Sequence, residues 1–327
     1  MTPQTPRPDS AQPQVAHYDL GEIPHREERL PDSESSFLSE EEHEPCPTPL
    51  EWHDILSRFI QEADHWYLET PAGQILGRTW GSGPTLYFQN GLSGTHELYA
   101  LITWLLRDNY RCVLFDYMDS PIASHETLAD LLPEVAKLHE DSGPVTLVTR
   151  DFGLQVAQYC SLRHPGFLGS LICQTPHLQL PLTKSELRLA RLGKKIPGKL
   201  KRVPGRQMIQ QRIHRVWFPP YDPSRFDFYL DNTGEQSTSA LSQRFLLNGS
   251  PLPAWPVESI PEKMLIIRAE GETPAQTKSA EELSIAAPQA ITEWLHTSGQ
   301  LAFLTHPHRL VKLINNFLVP EDLDQTS

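Results

Sequence analysis

The chain has 327 residues, a formal net charge of -13 and 39% hydrophobic residues. Its length suits one large α/β domain with additions, and its acidic balance argues against general binding to nucleic acid or to an anionic membrane. The four cysteines, Cys46, Cys112, Cys160 and Cys173, show neither metal-ligand nor redox spacing, and no cofactor motif is present.

Residues 1–50 are rich in Pro, Ser, Gln and acid, and include the run Ser39-Glu40-Glu41-Glu42-His43-Glu44. Such a segment buries too little apolar surface to offset its ordering entropy, so a disordered acidic tail is expected there. It shows neither a basic start followed by an apolar stretch nor, with the rest of the chain, an apolar run long enough to span a membrane. Together with cysteines lying in apolar runs, this predicts a cytoplasmic location.

From Trp66 onward strand-like and helix-like segments alternate. Trp66-Tyr67-Leu68-Glu69-Thr70 and Gln74-Ile75-Leu76-Gly77-Arg78-Thr79-Trp80 read as an antiparallel pair around Pro71-Ala72-Gly73. Thr85-Leu86-Tyr87-Phe88-Gln89 reads as a buried strand. It is followed by the loop Asn90-Gly91-Leu92-Ser93-Gly94-Thr95 and a helix with Leu98, Leu101, Ile102, Leu105 and Leu106 at helical spacing. Further strands are expected at 111–117, 145–148, 168–173, 263–268 and 291–295, and helices at 127–139, 154–163 and 308–318. Residues 176–253 break the alternation as a proline-punctuated, mostly helical insertion of cap size. Within it, residues 184–215 carry eleven Lys and Arg against Glu186 alone, readable as a solvated face, as a site for an anionic ligand, or as a partner for the acidic tail. Near-continuous apolar strands alternating with helices predict a mostly parallel sheet covered on both faces.

Four landmarks in order give the chain, over roughly residues 65–320, a resemblance to the α/β-hydrolase superfamily. Gly81-Ser82-Gly83-Pro84, a strand and Asn90-Gly91 are similar to its glycine-rich stretch and oxyanion loop. Residues 145–153 are similar to the strand entering its nucleophile elbow. Residues 264–272 are similar to the strand and loop bearing its acid, and Ser298-Gly299-Gln300 to the segment bearing its catalytic histidine. The resemblance implies an α/β-hydrolase fold: a mostly parallel eight-stranded sheet, helices on both faces and a helical cap at 176–253, in a domain spanning 51–327.

Carried onto this chain, the pattern Gly-x-nucleophile-x-Gly reads Thr149-Arg150-Asp151-Phe152-Gly153, which puts Asp151 at the nucleophile position, Glu272 at the acid position and Gln300 at the base position. A carboxylate there attacks carbon to give an ester that activated water must cleave. Glutamine takes up no proton near neutral pH, although Glu272 could accept a hydrogen bond from it and so preserve the shape of an oriented pair. Asn90 stands where a histidine usually precedes Gly91, and the N–H groups of Leu92 and Phe152 could hold an anion. His296, His306 and His308 are candidate stand-in bases, and His177 is a candidate for the pocket wall. The stretches 113–117, 241–250 and 298–304 resemble the maspardin branch most closely, with Asp151 where that branch keeps serine. These departures favour a non-catalytic protein that binds a small molecule or a partner protein. The alternatives are a hydrolase of epoxides, haloalkanes or esters with a relocated base, or an Asp151 that caps the helix it opens.

Overall fold

Runs of apolar, β-branched and aromatic residues place the strands. The computed structural model describes residues 51–71, 73–220 and 222–319, so the acidic segment 1–50 lies outside the described residues. The strands are β1 (Asp64–Thr70), β2 (Gly73–Trp80), β3 (Thr85–Gln89), β4 (Arg111–Phe115), β5 (Val145–Arg150), β6 (Leu168–Gln174), β7 (Lys263–Ala269) and β8 (Ile291–Leu295). They form one eight-stranded sheet in the order β1-β2-β4-β3-β5-β6-β7-β8. The hairpin expected around residues 71–73 forms with Thr70 opposite Gly73 and Glu69 opposite Gln74. Its second strand joins β4 antiparallel, and every later pairing is parallel.

The helices are α1 (Trp52–Glu62), α2 (Ala100–Leu106), α3 (His125–Ala129), α4 (Leu131–Leu138), α5 (Gly153–Arg163), α6 (Lys184–Gly193), α7 (Arg206–His214), α8 (Ser224–Gly234), α9 (Thr238–Asn248), α10 (Pro274–Ala286), α11 (Ala302–Thr305) and α12 (Pro307–Leu318). The single helix expected at 127–139 is two, broken at Asp130. Pro133 is the physical reason, since it has no N–H to give the Ala129 carbonyl and its ring crowds that group.

Strand pleating sends alternate side chains into two cores. Leu86, Phe88, Leu114, Ile172 and Leu265 face one, packed by α1, α2 and α12; Tyr87, Val113, Phe115, Leu147 and Leu171 face the other, packed by α4 and α5. Each fully buried Leu, Ile or Phe contributes about 1.5–3 kcal/mol. The edge strand β8 is exposed along Ile291 to Trp294, unlike the central strands. Between β6 and β7 the chain leaves the sheet for α6–α9, the helical insertion expected there. Among the described residues no helix is long and apolar enough to cross a membrane.

Candidate functional site

The sharp turn expected after β5 is present. Asp151 takes φ +36°, a left-handed conformation that costs most residues roughly 1–2 kcal/mol and that Asp tolerates better than most. Its N–H donates to Gln174 O (3.1 Å) and its carbonyl accepts from Leu154 N (3.1 Å), which pins the bend between β6 and the first turn of α5. Thr149, where the family pattern has glycine, is buried and its hydroxyl donates to Gln89 O (3.0 Å). Room for it comes from Gly153, where an added Cβ would collide with the Thr149 Oγ1.

The N–H groups of Leu92 and Phe152 do converge, and both donate to Asp151 Oδ1, at 2.8 and 2.5 Å. The other carboxylate oxygen, Oδ2, accepts from Arg150 Nη1 at 2.9 Å. Arg150 Nη2 in turn donates to Ser93 O (2.7 Å), and the guanidinium lies over the Phe303 ring at 4.8 Å. Side-chain exposure is 6% for Arg150 and 18% for Asp151, so the pair is largely withdrawn from water. Burial alone would push the Arg150 pKa down, yet the Asp151 charge, joined by smaller contributions from Tyr99 and Tyr229, turns the net shift upward. Gly91 is required by close approach, because a Cβ there would occupy the space of the Asp151 carboxylate. Asn90 is fully buried. Its carbonyl accepts from Tyr117 OH (2.7 Å), while neither side-chain polar atom has a partner among the described residues.

The pairing expected between Glu272 and Gln300 is absent. Glu272 accepts from Arg268 (2.8 and 3.1 Å) and from Ala269 N (3.2 Å), whereas Gln300 Nε2 donates to Gly271 O at 2.8 Å. The cationic Arg268, four residues before Glu272, outcompetes a neutral amide for the carboxylate. Gln300 does line the cavity of about 310 Å³ that opens on Arg150 and Asp151; Glu272 does not. Phe152 is fully buried against Tyr117 and His125, at 6.0 Å between ring centroids in each case, and offers the site only its backbone N–H.

Two imidazoles share that cavity. His177, the wall residue expected from its place after β6, lines it, and so does His214 at the end of α7. Neither hydrogen-bonds to Asp151, and His177 Nε2 and His214 Nδ1 have no partner among the described residues. Burial pushes both rings toward the neutral form, lowering the His214 pKa to about 4 with help from the Arg150 charge. His296 instead meets Glu270 (3.2 Å) on the surface, and His306 and His308 line a separate cavity beside Trp52 and Arg225. Sequence reasoning therefore missed His214 and the pairing role of Arg150. Arg150 sat in plain view beside the elbow aspartate, whereas nothing in the sequence distinguished His214 within a basic helix.

No family model and no curated protein matches the sequence. Solved structures do match in fold. A thermophilic esterase from Thermogutta terrifontis superposes with a TM-score of 0.66 at 15% identity, over 78% of this chain and 98% of that one. A hydrolase from Pseudomonas aeruginosa PA01 gives 0.64 at 14% identity, over 79% and 99%. An enol-lactonase from Burkholderia xenovorans LB400 gives 0.62 at 14% identity, over 77% and 99%. Such low identities speak to architecture alone, and the architecture of this chain is the α/β-hydrolase fold.

Proposed function

We propose that the chain is a non-catalytic α/β-hydrolase-fold protein, akin to maspardin, that binds a small polar molecule in the cavity over Asp151. The observation that carries this is the ion pair at Asp151 Oδ2. Oδ1 in the pair of N–H groups suits either reading, since an ester formed on Asp151 would develop its own oxyanion there. Oδ2 is the atom that would have to attack, and a buried guanidinium at 2.9 Å lowers its nucleophilicity. Gln300 adds no base, and Glu272 is committed to Arg268.

The cavity wall supports a binding role. Gln210, Asn248 and Gln276, which line the cavity, spend their side-chain oxygens on Tyr229, Gln155 and Thr273, and their NH2 groups have no hydrogen-bond partner among the described residues. Such a wall suits a neutral ligand rich in carbonyl and hydroxyl oxygens. A thermal-shift screen of small polar metabolites tests it: a ligand at a hundred times its Kd adds about 2.7 kcal/mol. Purified protein is also expected to turn over no nitrophenyl ester, epoxide or haloalkane.

The competing reading is a hydrolase whose base is His177 or His214, favoured by their neutral, unpartnered rings in the same cavity. Turnover that both Asp151→Asn and His214→Gln or His177→Gln abolish decides for it and against the binding protein.

A further inference from the structure

The helical insertion carries a surface the site does not use. Of the large apolar side chains that stand exposed, eight fall between Leu189 and Val216, among them Leu189 at 68%, Met208 at 69% and Val216 at 77%. On α6 and the turn after it, Leu189, Leu192 and Ile196 recur at helical spacing and form one stripe. Lys184, Arg188, Arg191 and Lys195 form a second stripe beside it, and the third face, Ala190 and Gly193, is buried. None of those four cations makes a hydrogen bond or ion pair among the described residues, unlike Lys199 and Lys201, which both hold Glu235.

The apolar stripe is also the wall of a groove of about 430 Å³ between α6 and α9, completed by Leu200, Val203, Leu241 and Phe245. The groove runs inward to Leu92, whose N–H holds Asp151.

We infer that this face of the insertion docks on an anionic lipid surface, with the Leu189-Leu192-Ile196 stripe entering the acyl boundary and the neighbouring cations meeting headgroup phosphates and carboxylates. An apolar stripe flanked by unpaired cations is the pattern of helices that lie in a bilayer interface, and charge complementarity selects the anionic surface over a neutral one. The overall charge of -13 does not oppose this. Lys184, Arg188, Arg191 and Lys195 stand exposed together beside the stripe, and charges more than about 10 Å away are screened at ordinary ionic strength. The open groove gives an acyl chain somewhere to go, which a purely electrostatic patch would not.

Co-sedimentation of the full chain with vesicles tests the inference, using phosphatidylcholine alone and phosphatidylcholine mixed with phosphatidylserine. Binding is expected only to the mixed vesicles and is expected to weaken as salt rises. Each cation near the surface changes partition about fivefold, so Arg188→Glu/Arg191→Glu/Lys195→Glu lowers it at least about a hundredfold. Leu189→Asp/Leu192→Asp, at two exposed positions, lowers it at least about tenfold with its melting temperature unchanged. Failure of the parent chain to bind mixed vesicles at low salt overturns the inference. So does binding that the leucine variant leaves intact, because the stripe then enters nothing. A dimer in sedimentation velocity that the same leucine variant dissolves also overturns it, by assigning the face to a second copy of the chain.

Discussion

Replacing Asp151 by Asn keeps the shape of the side chain and removes its charge, which leaves Arg150 buried at 6% exposure without a counter-ion. The amide also cannot serve both sides of the carboxylate at once. If its oxygen stays on the N–H groups of Leu92 and Phe152, its NH2 faces the guanidinium, and the reverse orientation sets NH2 against two N–H donors. Stripping one partner from a buried ion pair costs about 3–5 kcal/mol, and the 18% exposure of Asp151 places this site at the lower end, about 3 kcal/mol. At about 2 °C per kcal/mol for a domain of this size, the melting temperature falls by about 6 °C. Calorimetry on the full chain reads it directly. A double-mutant cycle with Arg150→Met isolates the pair: the second substitution removes the stranded charge, so the double variant is more stable than Asp151→Asn alone, with a coupling of at least about 1 kcal/mol. If Asp151→Asn instead raises the melting temperature, the aspartate is being held against stability, as functional residues often are, and the anchoring argument fails.

Gly153→Ala drives a Cβ into the Thr149 Oγ1 and is expected to cost roughly 1–3 kcal/mol in urea denaturation, most of it recovered by adding Thr149→Ala. The lowered pKa of His214 predicts an acid limb. With a folded value of about 4, the unfolded chain binds the extra proton as pH falls below 6.5, so stability is full above that value and is lost between 6.5 and 4. Between pH 7 and about pH 5 this amounts to about 2 kcal/mol, which His214→Gln removes from the measured slope. His177 acts in the same direction, whereas His96, whose pKa its Asp116 partner raises against the effect of burial, contributes in the opposite sense.

The sheet was legible because its strands are written in local residue types. Thr85 to Gln89, Arg111 to Phe115 and Val145 to Arg150 are apolar runs closed by glycine, proline or polar residues, and the elbow stands where one such run meets a helix. Helix α1 was missed although Trp52, Ile55 and Phe59 carry the required spacing, since it directly follows an acidic, proline-rich stretch with no such pattern. The site was legible only where chain order places it. Leu92, Phe152 and Asp151 are fixed by the loop and the elbow, but the partners of Glu272 and Gln300 are decided by competition in three dimensions. Arg268 is four residues from Glu272 and charged, so it wins; Gln300 then takes the nearest free carbonyl, Gly271 O. His214 reaches the cavity because α7 of the insertion folds over the sheet, a long-range fact that no local pattern encodes.

The elbow also gives the aspartate a structural role that needs no chemistry. A left-handed residue at this turn is strained, and the fold retains it because the surrounding hydrogen bonds over-determine it. Serine offers its neighbours one hydroxyl. Aspartate brings two acceptors and a charge, which here satisfy the N–H groups of Leu92 and Phe152 with one oxygen and neutralise Arg150 with the other. Arg150 then ties the same turn to Ser93 O and to the face of Phe303, joining the oxyanion loop, the elbow and α11 through one ion pair. Of these contacts the Arg150 guanidinium on Oδ2 is the one that bears on the proposed loss of chemistry, since it occupies the oxygen that would attack while it helps to hold three segments of the chain together.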